Sequence, residues 1–266
     1  PKVIMITGQK GSGKSTLINH LLFSIFDKEN YDKKQNILHD NSKFLKQFKD
    51  NSFSNIIYMN GLNFSSIKVD DIRNLKNVIF QSTILNKERF IVLDDIELFN
   101  QNSLNALLKI IEEPSKNTYF VLINNKTKPL LKTIKSRALE IKIILNEETR
   151  LKIIKKLIDY FKLDLVLDPK SSQLSPGNYI KFNHILKQHE ISLTNNLSQN
   201  ISFLLGLYKK NKDILFINLI FFIVDFHFSD LSKKNILKND KIYEIRNYIF
   251  SNLNKFMQYN INQSAL

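Results

Sequence analysis

The sequence contains no cysteine and no tryptophan, and only six glycines and five prolines occur among its 266 residues. Without cysteine, disulfide bonds and thiolate-bound metal sites are excluded. Five histidines are present, but none of them follows a spacing typical of a metal site. The absence of cysteine fits a reducing compartment, and we expect a cytoplasmic location.

The sequence also shows neither a secretory leader nor an apolar run long enough to span a membrane. No charged segment followed by an apolar stretch opens the chain. The longest apolar stretch, 214–224, is interrupted by Asn218 and is shorter than the ~20 residues that a membrane-crossing helix requires. We therefore expect a buried core helix there and no membrane association.

Acidic residues are scarce relative to basic ones. The chain has 39 Lys and Arg against 25 Asp and Glu, which gives a net charge of +14. This charge favours an anionic partner such as nucleic acid, because side chains that neutralise phosphates release counterions. The lysines are nevertheless dispersed, and Lys, Asn and Ile are abundant everywhere, as an AT-rich coding sequence would produce. Direct DNA contact and a compositional origin of the charge therefore stay open as alternatives.

Three of the six glycines lie close together in Gly8-Gln9-Lys10-Gly11-Ser12-Gly13-Lys14-Ser15, which matches the phosphate-loop pattern G-x-x-x-x-G-K-[ST] after an apolar run. In such a loop, backbone N–H groups surround a phosphate chain, the lysine reaches the β/γ-phosphates, and the hydroxyl binds Mg²⁺. Helical spacing after the loop aims a helix N-terminus at the phosphates. The predicted nucleotide-binding residues are Gly8, Gly11, Ser12, Gly13, Lys14, Ser15 and Thr16. The alternative is a Gly/Ser turn without a ligand.

Up to about residue 145, strands alternate with helices, which predicts an α/β domain with a parallel sheet covered on both faces. The predicted strands are 3–7, 55–59, 90–93, 119–124 and 139–143. The predicted helices are 16–26, 67–80, 101–111 and 130–135. Between the first helix and the second strand, the polar stretch 27–52 predicts an insertion with one short helix around 42–48.

From residue 146 onward, the patterns predict helices only. They lie at 147–161, from 175 onward, and at 199–209, 212–226 and 240–258, and a turn-rich break covers 168–172. Acidic residues open the first of these helices, as the helix dipole prefers. A Ser-Pro pair at 175–176 opens the next one. We expect a small helical domain and a C-terminal helical bundle after the α/β domain.

Polar residues that follow two predicted strands complete a possible catalytic site. Asp94 and Asp95 end a buried strand, where Asp94 would bind Mg²⁺ and Asp95 would polarise the attacking water. Asn124 ends the next strand and could bind the γ-phosphate or that water. Ordinary strand-end turns explain the same residues without catalysis.

With these residues in hand, the chain resembles the AAA+ clamp-loader ATPases of bacterial DNA replication over about residues 1 to 185. Besides the loop and the aspartate pair, the resemblance rests on the segments 67–73, 105–114, 136–137 and 175–177. It implies a P-loop AAA+ parallel-sheet nucleotide domain at 1–145, a helical lid at 146–192 and an all-α oligomerising collar at 193–266. It also implies ATP and Mg²⁺ as cofactors, and Arg137 as an arginine finger on the ATP of a neighbouring subunit.

The implied partners are other clamp-loader subunits, both motor and delta-type, in a hetero-pentamer that loads a sliding clamp. Primed DNA would be contacted through that complex.

The sequence departs from the family pattern at several positions. The family's four-cysteine zinc module cannot exist here, so no zinc is expected, and Ala138 replaces a cysteine after the finger. The segment that helps relatives wrap adenine is expected upstream of Pro1.

Two further departures weaken hydrolysis. Asp95 replaces the usual glutamate, and Asn178 stands where hydrolysing relatives place an arginine that senses the γ-phosphate. They favour the subunit type that hydrolyses little or no ATP. One alternative is a self-sufficient ATPase in which Lys14, Ser15, Asp94 and Asp95 act in cis. A plain DNA-binding module driven by the +14 charge is the third hypothesis.

Overall fold

A computed structural model describes residues 1–61, 69–80, 88–193, 196–234 and 239–259. The chain forms two compact units. The first comprises residues 1–153 together with 175–178, and the second comprises residues 154–174 and 179–266. Residues 67 and 68, at the predicted start of one helix and within one segment of the resemblance, lie outside the described residues.

The first unit is built on a parallel sheet, as the alternating pattern predicts. Its strands and those of a small hairpin are β1 Val3–Gly8, β2 Tyr31–Asp32, β3 Ile37–Leu38, β4 Ile56–Asn60, β5 Arg89–Asp94, β6 Thr118–Asn124 and β7 Leu139–Ile143. Five of them form the sheet in the order β4-β5-β6-β1-β7, and all four neighbouring pairs are parallel. The five strands lie within one residue of their predicted bounds.

Helices cover both faces of this sheet. They are α1 Lys14–Phe26, α2 Lys43–Lys49, α3 Val69–Phe80, α4 Gln101–Glu112 and α5 Lys132–Lys135. Because strand side chains alternate between faces, neighbouring residues of β1 enter different cores. Met5 packs with Leu107 of α4, whereas Ile6 packs with Ile18 of α1. Because the strands are parallel, their carboxyl ends meet at one edge of the sheet, whose inner strands are buried on both faces and whose edge strand β7 is mostly exposed.

The insertion at 27–52 contains more structure than the sequence predicts. The short helix is present, but a two-stranded antiparallel hairpin, β2 and β3, precedes it. Tyr31 pairs with Leu38, and both side chains are buried in the α1-side core. A ring cluster that includes Phe44 and Phe53 surrounds this core. Burial against distant aromatic residues, rather than a local strand pattern, accounts for the hairpin.

The remaining helices are α6 Glu147–Phe161, α7 Pro169–Ser172, α8 Pro176–Gln188, α9 Leu197–Asn211, α10 Ile214–Lys233 and α11 Asn239–Tyr259. The turn predicted at 168–172 is wrong, because α7 occupies most of it. Asp168 caps that helix by accepting hydrogen bonds from the N–H groups of Lys170 and Ser171, with a proline at the first helical position. Helix α10 runs seven residues beyond its predicted end, and α5 begins two residues later than predicted.

The core of the second unit is formed by α8 to α11, by the second half of α6, and by Leu167 and Leu174 on either side of α7. Helix α10 packs against both α9 and α11, and its buried residues include Ile217, Ile220 and Val224. By length and composition α10 could cross a membrane, which is weak evidence, since a core helix passes the same test. The prediction of a core helix is confirmed by this packing, whereas the boundaries of the lid and collar domains stay predictions.

Candidate nucleotide-binding site

The phosphate-loop motif connects the carboxyl end of β1 to the N-terminus of α1, as its sequence predicts. Gly11 and Gly13 have φ angles of 81° and 90°, which L-residues with a side chain adopt only at a cost. Gly8 is required for another reason, because a Cβ there would lie 2.7 Å from the carbonyl oxygen of Ile143. Gly13 offers no side chain to cap α1, whose first N–H groups have no acceptor within the helix and suit a phosphate.

Lys14 is 3% exposed and is held by the loop itself. Its Nζ donates to the carbonyl oxygens of Gly8 at 2.9 Å and Gln9 at 2.7 Å. Burial lowers the pKa of Lys14 to about 8, although nearby carboxylates, Asp94 first among them, oppose this shift. A phosphate that reached Lys14 would replace neutral carbonyl acceptors with a charged one, and we expect it to favour the protonated amine.

Asp94 lies at the centre of the polar network below the loop. Its Oδ2 accepts hydrogen bonds from the hydroxyl of Ser15 at 3.0 Å and from that of Tyr58 on β4 at 2.6 Å. Burial, followed by the bond to Asp94, raises the pKa of Tyr58 above its usual range. The structure thus brings together Ser15 and Asp94, the two predicted Mg²⁺ ligands.

Asp95 is buried, with a left-handed φ of 51°. Its Oδ1 accepts from Lys10 Nζ at 3.1 Å and from Asn125 Nδ2 at 2.9 Å. Burial raises the pKa of Asp95, while Lys10 and the Asn125 hydrogen bond oppose that shift. The predicted water-polarising carboxylate is therefore engaged by a lysine of the phosphate loop.

Asn124 and Asn125 face different surroundings. The predicted residue, Asn124, accepts the N–H of Lys126 at 3.0 Å through its Oδ1, whereas Asn125 contacts both aspartates, with Nδ2 3.3 Å from Asp94 Oδ1. Asn125, the residue that follows β6, therefore provides the amide that contacts the two aspartates. The alternation of side chains along β6 was the signal that could have separated the two.

A buried glutamate, Glu97, supports this network from the turn after β5. Its carboxylate accepts the N–H groups of Asn125 at 3.0 Å and Thr127 at 3.2 Å, and the hydroxyl of Thr127 at 2.8 Å. These bonds fix the chain where it leaves β6. Sequence reasoning missed this residue, as it missed Tyr58 and Lys10, since each acts through a partner distant in sequence.

The segment 175–178 lies directly against the phosphate loop within the first unit. The Ser175 hydroxyl donates to the Lys10 carbonyl at 2.6 Å, and the Gly177 N–H donates to the Gly11 carbonyl at 2.8 Å. A cleft of about 350 Å³ beside the loop is lined by Ser12, Ser175 and Arg150, among others. Arg150 is 6% exposed and pairs with Glu147 at 2.6 Å, so a buried cation borders this cleft.

Arg137 lies away from these groups, after α5. Its Nε donates to Glu112 Oε1 at 2.7 Å, its NH2 also contacts that oxygen, and its NH1 donates to the Thr133 carbonyl at 3.1 Å. The side chain is 36% exposed. Within the part of the chain that the structure describes, its recorded partners are Glu112 and Thr133, and no hydrogen bond joins it to the phosphate loop.

The residues of the loop fit a magnesium-bound nucleoside triphosphate. Two left-handed glycines shape the cradle, the Lys14 amine is adjacent, and the Ser15 hydroxyl lies beside the Asp94 carboxylate. A hydroxyl and a carboxylate are oxygen ligands of the kind that Mg²⁺ takes together with phosphate oxygens. Thr16 is exposed in the first turn of α1. No cluster of three or more His, Cys, Asp or Glu that could hold a metal by itself occurs among the described residues.

Comparison with known proteins identifies the family. Residues 1–146, more than half of the 266-residue chain, match the family described as DNA polymerase III, delta subunit. The chain belongs to this family. The predicted resemblance to the AAA+ clamp loaders is confirmed at this level, and the parallel sheet followed by a helical bundle agrees with that fold class.

Similar proteins from this polymerase include two subunit types. The delta' subunit of Pseudomonas aeruginosa is 40% identical over 74 residues, which are 28% of this chain and 23% of that protein. The gamma subunit of Buchnera aphidicola subsp. Acyrthosiphon pisum is 27% identical over 253 residues, 91% of this chain and 64% of that one. The matches thus span less than two thirds of each relative.

Among solved structures, a DNA polymerase III gamma subunit-related protein from Thermotoga maritima is 18% identical. That comparison covers 98% of this chain and 90% of the other, with a TM-score of 0.47.

Proposed function

We propose that this clamp-loader-family chain acts as a delta-prime-type subunit. It assembles with motor and delta-type subunits in a hetero-pentamer that loads a sliding clamp onto primed DNA. It binds ATP and Mg²⁺ at Gly8–Ser15 but contributes little hydrolysis of its own. Its catalytic contribution is Arg137, which acts on the ATP of an adjacent subunit.

The surroundings of Arg137 carry this proposal. Its guanidinium is exposed and is held at the end of α5 by Glu112 and by the Thr133 carbonyl. An exposed ion pair stabilises a fold by only about 0–1 kcal/mol. The pair therefore orients the arginine but holds it only weakly. A group that exchanges Glu112 for the phosphate of a neighbouring ATP needs such a weak contact.

The contacts of Asp95 support weak hydrolysis in cis. A general base must be free to accept a proton from water, but this carboxylate already accepts from Lys10 and Asn125. Asn178, the residue after Gly177, cannot supply the positive charge that an arginine would bring to the γ-phosphate. Both features leave the phosphate-binding loop complete, but they weaken the hydrolysis of an ATP bound there.

The test is to reconstitute the loader with Arg137→Ala and, as a matched control, with Lys132→Ala. Lys132 is an exposed cation on α5, the short helix that precedes Arg137. We expect the ATP site facing Arg137→Ala to lose on the order of 10³ in hydrolysis rate, as other arginine fingers suggest, with clamp loading reduced in parallel. Wild-type rates with Arg137→Ala, or an equal loss with Lys132→Ala, would contradict the proposal.

Hydrolysis in cis is the second candidate, favoured by the 3.0 Å contact between Ser15 and Asp94 and by the adjacent Lys14. Turnover of Mg-ATP by the isolated chain, with and without primed DNA, separates the two. Stimulated hydrolysis that Lys14→Ala abolishes would support this candidate over the trans role. Absence of turnover with retained ATP binding would favour the delta-prime-type role.

A further inference from the structure

A second polar cleft lies on the face of the sheet opposite to the aspartate network. Met5 and Leu122 pack on the α4 side of the sheet, whereas Val92 packs on the α1 side. By alternation, Thr7 and Asn124 face the α4 side, and Asp94 faces the α1 side. Thr7 and Asn124 line a cleft of about 470 Å³ at the carboxyl ends of β1, β6 and β7.

This cleft is strongly basic. Four lysines line it, namely Lys126, Lys128, Lys135 and Lys142. The one carboxylate among its lining residues is Glu140, whose Oε2 is 4.0 Å from Lys142 Nζ. Positive charges therefore exceed negative ones by three within a concave surface, where like charges together raise the local concentration of anions.

Uncharged donors lie at the base of the same cleft. Thr7 is 2% exposed, and its hydroxyl has no hydrogen-bond partner among the described residues. A buried hydroxyl without an acceptor is unfavourable. Asn124, 3% exposed, is oriented by the bond that its Oδ1 accepts from the N–H of Lys126, and its amide nitrogen is a further donor. Lysines at the rim and neutral donors at the base suit an anion with several acceptor oxygens.

We propose that this cleft binds a phosphate group, carried either by a free mononucleotide or by the backbone of a nucleic-acid strand. The lysines supply charge, and the Thr7 hydroxyl gains the acceptor that the described part of the chain does not provide. The cleft adjoins the one beside the phosphate loop, since Lys126 lines both, but Thr7 and Asn124 line only this cleft. Binding is expected to weaken with salt, since most of the charge is exposed.

The experiment is an NMR titration of the full chain with inorganic phosphate, thymidine monophosphate and a ten-nucleotide thymidine strand. The Thr7 methyl and Asn124 side-chain amide signals report on this cleft, and the Gly11 and Gly13 amides report on the phosphate loop. Shifts at the first pair that persist in Lys14→Ala are expected. Binding by the small probes identifies a free phosphate ester as the source, and binding by the strand alone identifies the backbone.

Three variants make the test specific. Thr7→Val keeps the side-chain shape and should weaken binding without unfolding the chain. Lys128→Ala combined with Lys142→Ala should weaken it about tenfold, as for the loss of two partly exposed ion pairs. The control pair, Lys33→Ala with Lys34→Ala, removes the same charge from the exposed turn between β2 and β3. The proposal is overturned if no probe shifts the Thr7 signal, if the shift disappears in Lys14→Ala, or if the control pair weakens binding equally.

Discussion

The contact between the phosphate loop and the segment 175–178 predicts different effects for alanine at two glycines of the loop. Gly11 and Gly13 have nearly the same backbone conformation, with φ of 81° and 90°. Their surroundings differ. A Cβ at Gly11 would lie 2.5 Å from Ser175 Oγ and 2.8 Å from the backbone nitrogen of Asn178, whereas a Cβ at Gly13 would meet nothing within 4 Å.

The expected magnitudes follow from these distances. Either alanine costs about 1–2 kcal/mol for the left-handed conformation. At Gly11 the segment must also move, because backbone cannot rotate away as a side chain can. The bonds from Ser175 to Lys10 and from Gly177 to Gly11 are then lost, at about 1 kcal/mol each. We therefore expect the free energy of unfolding to fall by about 3–4 kcal/mol in Gly11→Ala and by about 1–2 kcal/mol in Gly13→Ala.

Hydrogen exchange at the Gly177 amide measures this contact directly, since that N–H donates to the Gly11 carbonyl. We expect Gly11→Ala to reduce its protection about thirtyfold, the equivalent of about 2 kcal/mol. Gly13→Ala serves as the matched control, and in this variant the protection of the Gly177 amide should stay within a small factor of the wild-type value. Equal protection in the two variants would refute the reasoning, because backbone strain alone would then explain both.

Two further predictions concern buried charges. Burial lowers the pKa of Lys14 from 10.5 to about 8, so the unfolded chain binds more protons between these values and the contribution of Lys14 to stability rises with pH across that window. The difference in urea stability between wild type and Lys14→Met should show this rise; a pH-independent difference would contradict it. Glu97→Gln leaves one acceptor oxygen for three donors and should cost about 1–3 kcal/mol in urea denaturation, against less than about 0.5 kcal/mol for exposed Glu113→Gln.

Strands β1, β4, β5 and β6 could be predicted because each is a short, mainly apolar run bounded by polar residues, whereas the edge strand β7 alternates apolar and charged residues and is mostly exposed. Strands that are covered on both faces of a parallel sheet read as nearly continuous apolar runs, because neither face needs polar residues. The hairpin of β2 and β3 was not predicted, since each strand has only two residues in a polar stretch. Its cause is the burial of Tyr31 and Leu38 against aromatic residues from other elements, which no local pattern displays.

In the polar site, too, some contacts could be predicted from the sequence and others could not. Ser15 and Asp94 could be paired from sequence, because a strand-loop-helix motif and a strand ending in a carboxylate both deliver their side chains to the carboxyl edge of a parallel sheet. Tyr58 could not be, since its hydroxyl reaches Asp94 only because β4 lies beside β5. The choice between Asn124 and Asn125 depended on which residue faces the aspartates, and one residue of register decides it.

A complete phosphate-loop motif therefore predicts the cradle but not the chemistry beside it. The pattern leaves four positions unspecified, yet one of them, Lys10, contacts Asp95 across 85 residues. That contact opposes the rise in the pKa of Asp95 that burial causes, and it uses part of the hydrogen-bonding capacity of the carboxylate. A lysine at a position the motif leaves free thus changes the surroundings of Asp95 while every residue that the motif requires is present. Binding and hydrolysis in this chain are consequently separate questions, which measurements on Lys14 and Lys10 variants would answer independently.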